Sequence, residues 1–258
     1  MFSELSIESK YFYHNSLSFI MLIVWLVVFI KGYSLKDDKL KHQISNLIII
    51  FCLSQELLES IHHIFLDSNV VFSVQRDLPF LQFCQIGFYF SLICIFLSRN
   101  YIPNKKYSYF QFLFDCSFIL GFSGAFQGII TPDLLNIDNI IEVVCVQLQH
   151  SLIILNLIWL MTAYNYRLKF RGVCLTYLFI NLIVPFALIF NSLLGPNSNG
   201  DYANYFYVNE LPKIDNFFLN FVSQYSSPDY IFYIQPIIII YFLMLYIPFG
   251  IWSKLKKN

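Results

Sequence analysis

Charged side chains are scarce in this sequence: Asp, Glu, Lys and Arg make up only 12% of its 258 residues. A soluble domain carries about a quarter, and the 57% hydrophobic content exceeds what one water-soluble core can hide. Because 16 basic residues balance 16 acidic ones, the chain also lacks the positive field that nucleic acid binding requires. The composition favours lipid as the solvent and membrane lipids as the partners.

The sequence also lacks the cysteine spacings of disulfide-rich or zinc-binding proteins. Its six cysteines all fall within apolar runs, and no CxxC or Cys/His ligand spacing occurs. We therefore expect no metal site and no cofactor. A cleaved signal peptide is not indicated either, because Glu4 and Glu8 precede the first apolar run and no A-x-A-like site follows it.

Apolar runs near the length needed to cross a membrane, about 20 residues, dominate the chain. There are seven, at about 17–31, 44–66, 79–98, 107–130, 139–163, 172–195 and 229–247. The longest connection, 196–228, lies before the last run, and no internal repeat is evident. We predict an all-α integral membrane protein in which residues 1–258 form a single seven-helix bundle.

The placement of Lys and Arg predicts how this bundle is oriented. Alternate connections hold 13 of the 16 basic residues: Lys31, Lys36, Lys39, Lys41, Arg99, Lys105, Lys106, Arg167, Lys169, Arg171, Lys254, Lys256 and Lys257. Basic residues gather on cytoplasmic loops. The N-terminus is therefore predicted outside and the C-terminus in the cytoplasm, in the plasma membrane if the protein is bacterial.

Ionisable residues inside the second run form a candidate site. Glu56, Glu59 and His63 follow one another at i, i+3 and i+7, which places them on one helical face. Glu59 and His63 are spaced to pair as acid and imidazole. A polar seam that locks neighbouring helices together is an equally good interpretation of this face.

The fifth run carries a broader polar face. Glu142, Gln149 and Asn156 recur every seven residues, and Gln147 and His150 form an adjoining stripe. So many polar groups cannot point at lipid, and we predict that they line a cavity.

The predicted outer half of the bundle holds most of this polarity. Gln82 and Cys84 lie near the outer start of the third span, and Gln127 and Thr131 lie near the outer end of the fourth. Asp115, nearer the inner side, is the main exception and has no assigned role.

Several motifs resemble those of the YwaF family of integral membrane proteins. They are "LPFLQFC" (78–84), "GFSGAFQGIITPDL" (121–134), "QH" (149–150), "NSLLG" (191–195), "NYFY" (204–207) and "PDY" (228–230). "FYHNSL", which contains His14, and Glu59 with His63 are weaker matches. The resemblance covers nearly the whole chain, and the string around Gln127 and Thr131 is its most specific part.

That family is similar to the eukaryotic transmembrane protein 164 acyltransferases, which remodel ether phospholipids. The resemblance implies Cys84 as the acyl-carrying nucleophile and His150 as its base. The remaining predicted site residues are expected to bind substrate or support the site: Gln82, Gln127, Thr131, Gln149, Glu59, His63 and Asn204. The family commonly has histidine where this chain has Gln82, and glutamine cannot accept a proton at neutral pH.

The chemistry is consistent with these residues. A thiol buried among apolar groups needs an adjacent base, which His150 can supply, while Gln147 or Gln149 can orient the ring or bind an oxyanion. Two alternatives stay open: the polar cavity binds or transports a small solute, or the protein is a receptor or scaffold.

Overall fold

Helices account for almost all the secondary structure. A computed structural model describes residues 5–62, 73–75, 78, 80–98, 107–132, 134, 137, 139–197, 200–211 and 217–255. Its helices are α1 (Ile7–Ser34), α2 (Asp38–Ile61), α3 (Phe83–Ser98), α4 (Tyr109–Cys116), α5 (Phe122–Ile130), α6 (Ile140–Ala163), α7 (Phe170–Leu194), α8 (Phe217–Val222), α9 (Asp229–Tyr233) and α10 (Gln235–Leu255). Within these ranges the β-structure is one isolated bridge, between Pro196 and Tyr202. The all-α prediction is confirmed.

Six helical segments of the described chain are long and apolar enough to cross a membrane. They are Ile7–Ser34, Asp38–Ile61, Tyr109–Ile130, Ile140–Ala163, Phe170–Leu194 and Asp229–Leu255. The remaining predicted span is α3, an apolar helix of 16 residues, which is about 24 Å long at 1.5 Å per residue. The count of seven crossings thus stays a prediction. The second predicted span reached residue 66, whereas α2 ends at Ile61 and residues 63–66 lie outside the described chain.

The central helix is α6. Of the 18 residues in its apolar stretch, 67% are buried, whereas only 11% are buried in the corresponding stretch of α1. Its first turn is capped by Asn139, whose side-chain oxygen accepts hydrogen bonds from the backbone of Ile141 (3.0 Å) and Glu142 (3.1 Å). Because α1, α2, α3 and α5 all pack around α6, its polar side chains face protein.

Buried hydrogen bonds fix these neighbours to α6. On α6, Trp159 donates to the Ser45 hydroxyl of α2 (2.9 Å), and Asn156 donates to the Ser91 hydroxyl of α3 (2.9 Å). Trp25 of α1 donates to the backbone carbonyl of Ser151 (3.0 Å). Each such bond contributes about 1 kcal/mol in a membrane bundle.

A close glycine contact sets where α3 crosses the segment that joins α4 to α5. A Cβ built on Gly87 would lie 2.5 Å from the backbone nitrogen and Cα of Gly121, and one built on Gly121 would lie 2.7 Å from the Ile153 side chain, so neither position has room for a side chain. Between α4 and α5 the helix widens into a π-helical turn, Ser117–Gly121, and Gly121 is its last residue. Small residues at such contacts let two backbones approach closely.

Asp115 has a structural role that the sequence did not reveal. Its fully buried carboxylate accepts hydrogen bonds from the Tyr107 hydroxyl (2.8 Å), the Gln111 amide (2.8 Å) and the Lys169 backbone (3.3 Å). Burial and the adjacent carboxylate raise the pKa of Tyr107, which keeps its hydroxyl protonated as the donor. A side chain at Gly172 would collide with this carboxylate. Asp115 therefore joins α4 to the start of α7.

Candidate functional site

Cys84 lies in the first turn of α3, one turn before the Gly87 crossing. The backbone N–H groups of Cys84 and Gln85 interact with its thiol. They are among the groups at a helix start that have no partner within the helix. Across the interface, a Cβ built on Gly124 would lie 3.1 Å from the Cys84 Cβ, so α5 passes directly over the cysteine.

His150 packs against the same helix through a second glycine. A Cβ built on Gly128 would lie 2.7 Å from the Cε1 and Nε2 atoms of the His150 ring and 2.8 Å from Nδ1. The ring is held by its own helix, because Nδ1 lies 2.8 Å from the Val146 carbonyl oxygen. A carbonyl oxygen only accepts, so Nδ1 carries the proton and Nε2 is left with its lone pair.

The two glycines place the thiol and the imidazole on one face of α5. Gly124 and Gly128 are separated by one helical turn, about 6 Å along the axis. Cys84 and His150, which pack on these glycines, are therefore neighbours but make no hydrogen bond with each other. A water or the reacting group of a substrate would fit the role of bridging them.

Two carboxylates lie on the α2 side of this site. Glu56 accepts from the Tyr89 hydroxyl of α3 (2.5 Å) and from the Gln149 amide of α6 (3.0 Å), while Glu59 accepts from Gln55 (2.8 Å). Both carboxylates interact electrostatically with the Cys84 thiol. The predicted residues Glu59 and Gln149 thus belong to the layer around Cys84. His63, the predicted partner of Glu59, lies outside the described residues.

The ring-orienting role expected for Gln147 or Gln149 belongs to the Val146 carbonyl instead. Gln147 points to α1, donating to the Ser18 hydroxyl (3.0 Å), and it also donates to the Ser151 hydroxyl of its own helix (2.8 Å). Gln149 is engaged by Glu56, as described above. The physical reason is helix periodicity: residues 147, 149 and 150 point in three directions from α6, toward α1, toward α2 and toward α5.

A polar cavity of about 360 Å³ lies beside the start of α3. It is lined by Ser73, Gln75, Gln82, Asn197, Asp201, Tyr202, Asn204, Tyr205 and Tyr207. It brings together two predicted site residues, Gln82 and Asn204. The buried side-chain oxygen of Gln82 has no hydrogen-bond partner. Asn204 shapes the cavity wall, because its side-chain oxygen accepts from the backbone of Asn209 (3.0 Å) and Glu210 (3.0 Å).

The structure does not bring every predicted residue into this region. Gln127 and Thr131 are exposed, and the Thr131 hydroxyl donates to the Gln127 backbone carbonyl (3.1 Å). Two residues of this region were not among the predicted site residues: Tyr89, which holds Glu56, and His14, which is fully buried near Gly128. The motif "FYHNSL" was the available signal for His14. Among the described residues no group of three or more His, Cys, Asp or Glu side chains is arranged to hold a metal.

The outward surfaces of the long helices define the class of protein. Large apolar side chains stand outward on them, such as Leu193 (79% exposed) and Phe186 (71% exposed) on α7. The described part of the chain has six apolar helices long enough to span a bilayer and a polar interior. This is therefore a multi-pass integral membrane protein whose outer helix faces contact lipid.

Within that class, the chain belongs to the TMEM164 family, which it matches over residues 8–246. The match confirms the resemblance to that family, while the narrower YwaF assignment stays a prediction. No curated protein and no solved structure matches the chain.

Proposed function

We propose that the protein transfers acyl groups between membrane lipids through a thioester on Cys84, with His150 as the base. The observation that carries this proposal is the placement of the thiol and the imidazole on one face of α5, over Gly124 and Gly128. The resemblance to phospholipid acyltransferases supplies the reaction class. The donor and the acceptor reach the site from the surrounding bilayer.

The first half-reaction uses the thiol and the imidazole described above. The Cys84 thiol gives its proton through a bridging water to Nε2 of His150, and the sulfur bonds to the carbonyl carbon of a lipid ester. The backbone N–H groups of Cys84 and Gln85 stabilise the oxyanion that forms. The ester C–O bond then breaks, and the leaving lysolipid oxygen takes the proton from His150. The product is an acyl-thioester on Cys84.

The second half-reaction reverses these steps with a different lysolipid. Its free hydroxyl gives a proton to His150 and attacks the thioester carbonyl carbon, and the thiolate leaves. The proton returns from His150 to Cys84. No oxidant, reductant or cofactor enters the balance, and the enzyme is restored.

Gln82 takes a binding role in this proposal. The family histidine at this position could titrate, whereas an amide can only donate and accept hydrogen bonds. The unpartnered Gln82 oxygen borders the polar cavity, two residues before the nucleophile. We assign it to the hydroxyl or amine donors of a lipid headgroup, with Gln149 and Glu59 supporting the site from α6 and α2.

The test is the intact mass of the purified protein after incubation with phospholipid. We expect a fatty-acyl adduct that hydroxylamine removes. It should be absent from Cys84→Ala and strongly reduced in His150→Ala. Cys174→Ala is the matched control, since Cys174 is an exposed cysteine on α7, and it should form the adduct as the wild type does. An unmodified wild-type protein, or an adduct that persists in Cys84→Ala, would refute the proposal.

The polar cavity favours a second candidate function, the binding or transport of a small solute. Its volume of about 360 Å³ and its amide and tyrosine lining suit a small polar molecule. This function would tolerate Cys84→Ala but depend on side chains that line the cavity, such as Gln82 and Asp201. Solute binding by the Cys84→Ala protein, lost in Gln82→Ala and Asp201→Asn, would support it over acyl transfer.

We also propose that α3 crosses the membrane in addition to the six longer segments, which makes seven crossings, and that the N-terminus lies outside. A 16-residue helix can span a locally thinned bilayer, and seven crossings keep the basic connections on one side. Reporter fusions at the two ends test this: opposite sides support seven crossings, whereas the same side contradicts them.

A further inference from the structure

Two cations at the start of α7 lie against one aromatic ring. The ring belongs to Tyr107, which comes two residues before α4. The guanidinium carbon of Arg171 lies 5.0 Å from the centroid of this ring, and the ammonium nitrogen of Lys169 lies 5.8 Å from it. Both distances are within the range of about 6 Å in which a cation is attracted to an aromatic ring. Two positive charges from neighbouring positions of the chain are therefore held at one place.

The ring and the start of α7 are fixed from inside the protein by a buried carboxylate. The Tyr107 hydroxyl donates to Asp115 (2.8 Å), and the backbone N–H of Lys169 donates to the same carboxylate (3.3 Å). Asp115 also interacts electrostatically with the Lys169 charge. Neither the Lys169 ammonium group nor the Arg171 guanidinium group forms an ion pair within the described part of the chain. The two cations are thus positioned but not neutralised.

The charge in this part of the sequence is strongly unbalanced. The connection at 99–106 and the residues 164–173 contain no acidic residue but six basic ones: Arg99, Lys105, Lys106, Arg167, Lys169 and Arg171. Arg167 is already engaged, because it donates to the Tyr33 hydroxyl of α1 (3.2 Å) and to backbone carbonyls. Lys169 and Arg171 therefore carry a surplus of positive charge that an anion from outside the chain would balance.

The cations lie at the end of a membrane-spanning helix. Lys169 is the cap residue before α7, and Arg171 lies in its first turn. This end of the bundle is opposite to Cys84: the nucleophile lies at the start of α3, whereas Cys94, toward the other end of α3, lies 3.7 Å from the Phe110 carbonyl at the start of α4. Phospholipid headgroups lie at the level where spanning helices end. An anion at Lys169 and Arg171 is therefore separate from the proposed acyl-transfer site.

An apolar stripe runs from Arg171 along the outer surface of α7. Leu178, Leu182 and Phe186 follow Arg171 at i+7, i+11 and i+15, so they share its helical face. All three side chains are exposed, as Arg171 is. A lipid acyl chain can lie along this stripe while its phosphate reaches the cations at the helix end. The surface thus suits an amphiphile with an anionic head better than a free phosphate ion.

We propose that Lys169 and Arg171 bind the phosphate of an anionic phospholipid, whose acyl chain lies along the outward stripe of α7. Arginine binds phosphate oxygens through paired N–H groups, and lysine binds them through its compact charge. Basic groups between helices at a membrane surface are typical sites for anionic headgroups. A zwitterionic lipid is a poorer match, because its own ammonium group cancels the phosphate charge. The site is independent of acyl transfer at Cys84.

Lipid retention in native mass spectrometry tests the proposal. The full-length protein in a non-ionic detergent is titrated with phosphatidylglycerol or with phosphatidylcholine of the same acyl chains, and an apparent Kd is obtained for each lipid. The first variant is Arg171→Gln, which removes an exposed side chain, and the second combines it with Lys169→Gln. The matched control is Lys39→Gln, which removes the same charge from an exposed position in the first turn of α2.

We expect phosphatidylglycerol to bind the wild-type protein about tenfold more tightly than phosphatidylcholine. A basic residue near a membrane surface contributes about fivefold to the binding of an anionic lipid, so the affinity for phosphatidylglycerol should fall about fivefold in Arg171→Gln and about 25-fold in the double variant. The affinity for phosphatidylcholine should not change. Lys39→Gln should bind both lipids as the wild type does.

Three results would overturn the inference. They are equal affinity of the wild-type protein for the two lipids, an unchanged affinity for phosphatidylglycerol in Arg171→Gln, and an equal loss in Lys39→Gln. The last result would show a response to total charge instead of a site. Arg171→Gln decides the question by itself if the double variant does not fold.

Glycerol phosphate separates a lipid site from a phosphate site, because it carries the anionic group without acyl chains. It should not displace phosphatidylglycerol from the wild-type protein when both are present at the same concentration. Full displacement would show that the cations bind phosphate alone, and the assignment of a phospholipid would then be wrong.

Discussion

Gly128 allows the geometry of the proposed site to be perturbed by one methyl group. A Cβ at this position would lie 2.7 Å from two atoms of the His150 ring. Carbon atoms in contact are about 3.5–4.0 Å apart, so in Gly128→Ala the ring must retreat by about 1 Å. That retreat weakens the Nδ1 bond to the Val146 carbonyl and displaces Nε2, the atom proposed to take the thiol proton.

The expected cost falls on the reaction more than on the fold. A misplacement of about 1 Å can reduce a reaction rate about 100-fold. For folding, alanine is favoured over glycine in a helix by about 1 kcal/mol, which offsets part of an overpacking cost of about 1–3 kcal/mol. Gly128→Ala should therefore fold, with at most about 2 kcal/mol lost, and form the acyl adduct about 100-fold more slowly.

The assay is the rate of adduct formation by intact mass, beside a thermal melt of the same preparations. The control is Gly250→Ala on α10, where a Cβ would meet only the Tyr246 side chain of its own helix, at 3.1 Å. A wild-type adduct rate in Gly128→Ala would refute the packing of His150 on α5 as a requirement. Equal losses in both variants would show that the effect is not specific to the site.

Three further predictions concern the scaffold. Gly87→Ala should lower the melting temperature, because the backbone of Gly121, in the π-helical turn before α5, lies 2.5 Å from the new Cβ; an unchanged temperature contradicts the crossing. Asp115→Ala should lower the free energy of unfolding, measured with denaturant, by about 2–4 kcal/mol, because the Tyr107 hydroxyl and the buried Gln111 amide lose their acceptor. Equal stability would refute that network. Asn191→Leu removes two hydrogen bonds to the Tyr205 backbone, and proteolysis within 200–211 should accelerate about tenfold; an unchanged rate would show that the segment is held otherwise.

The sequence by itself determined the class of the protein. Low charge and long apolar runs require a membrane-embedded helical bundle, because backbone polar groups in lipid must be satisfied within helices. The polar face of α6 was predicted to point away from lipid, and the buried Gln147, Gln149 and Asn156 do so; that this face lines a cavity stays a prediction. The motifs likewise indicated the family that residues 8–246 match.

The tertiary structure decided which polar residues meet. Gln147, Gln149 and His150 are neighbours in sequence, yet they face α1, α2 and α5 respectively. Residues 127 and 131, in the most specific motif, lie exposed, while His14, from a weak one, is buried near the proposed base.

The physical reason is that helix periodicity fixes directions around one axis but not which helix occupies each direction. That choice depends on close contacts between backbones, and here glycines make them: Gly87 with Gly121 sets the crossing of α3, and Gly124 and Gly128 admit the thiol and the imidazole. A glycine has no side chain from which a sequence pattern could predict the residue that packs on it. That Gly124 and Gly128 contact the thiol and the imidazole can be seen only once the neighbouring helices are in place.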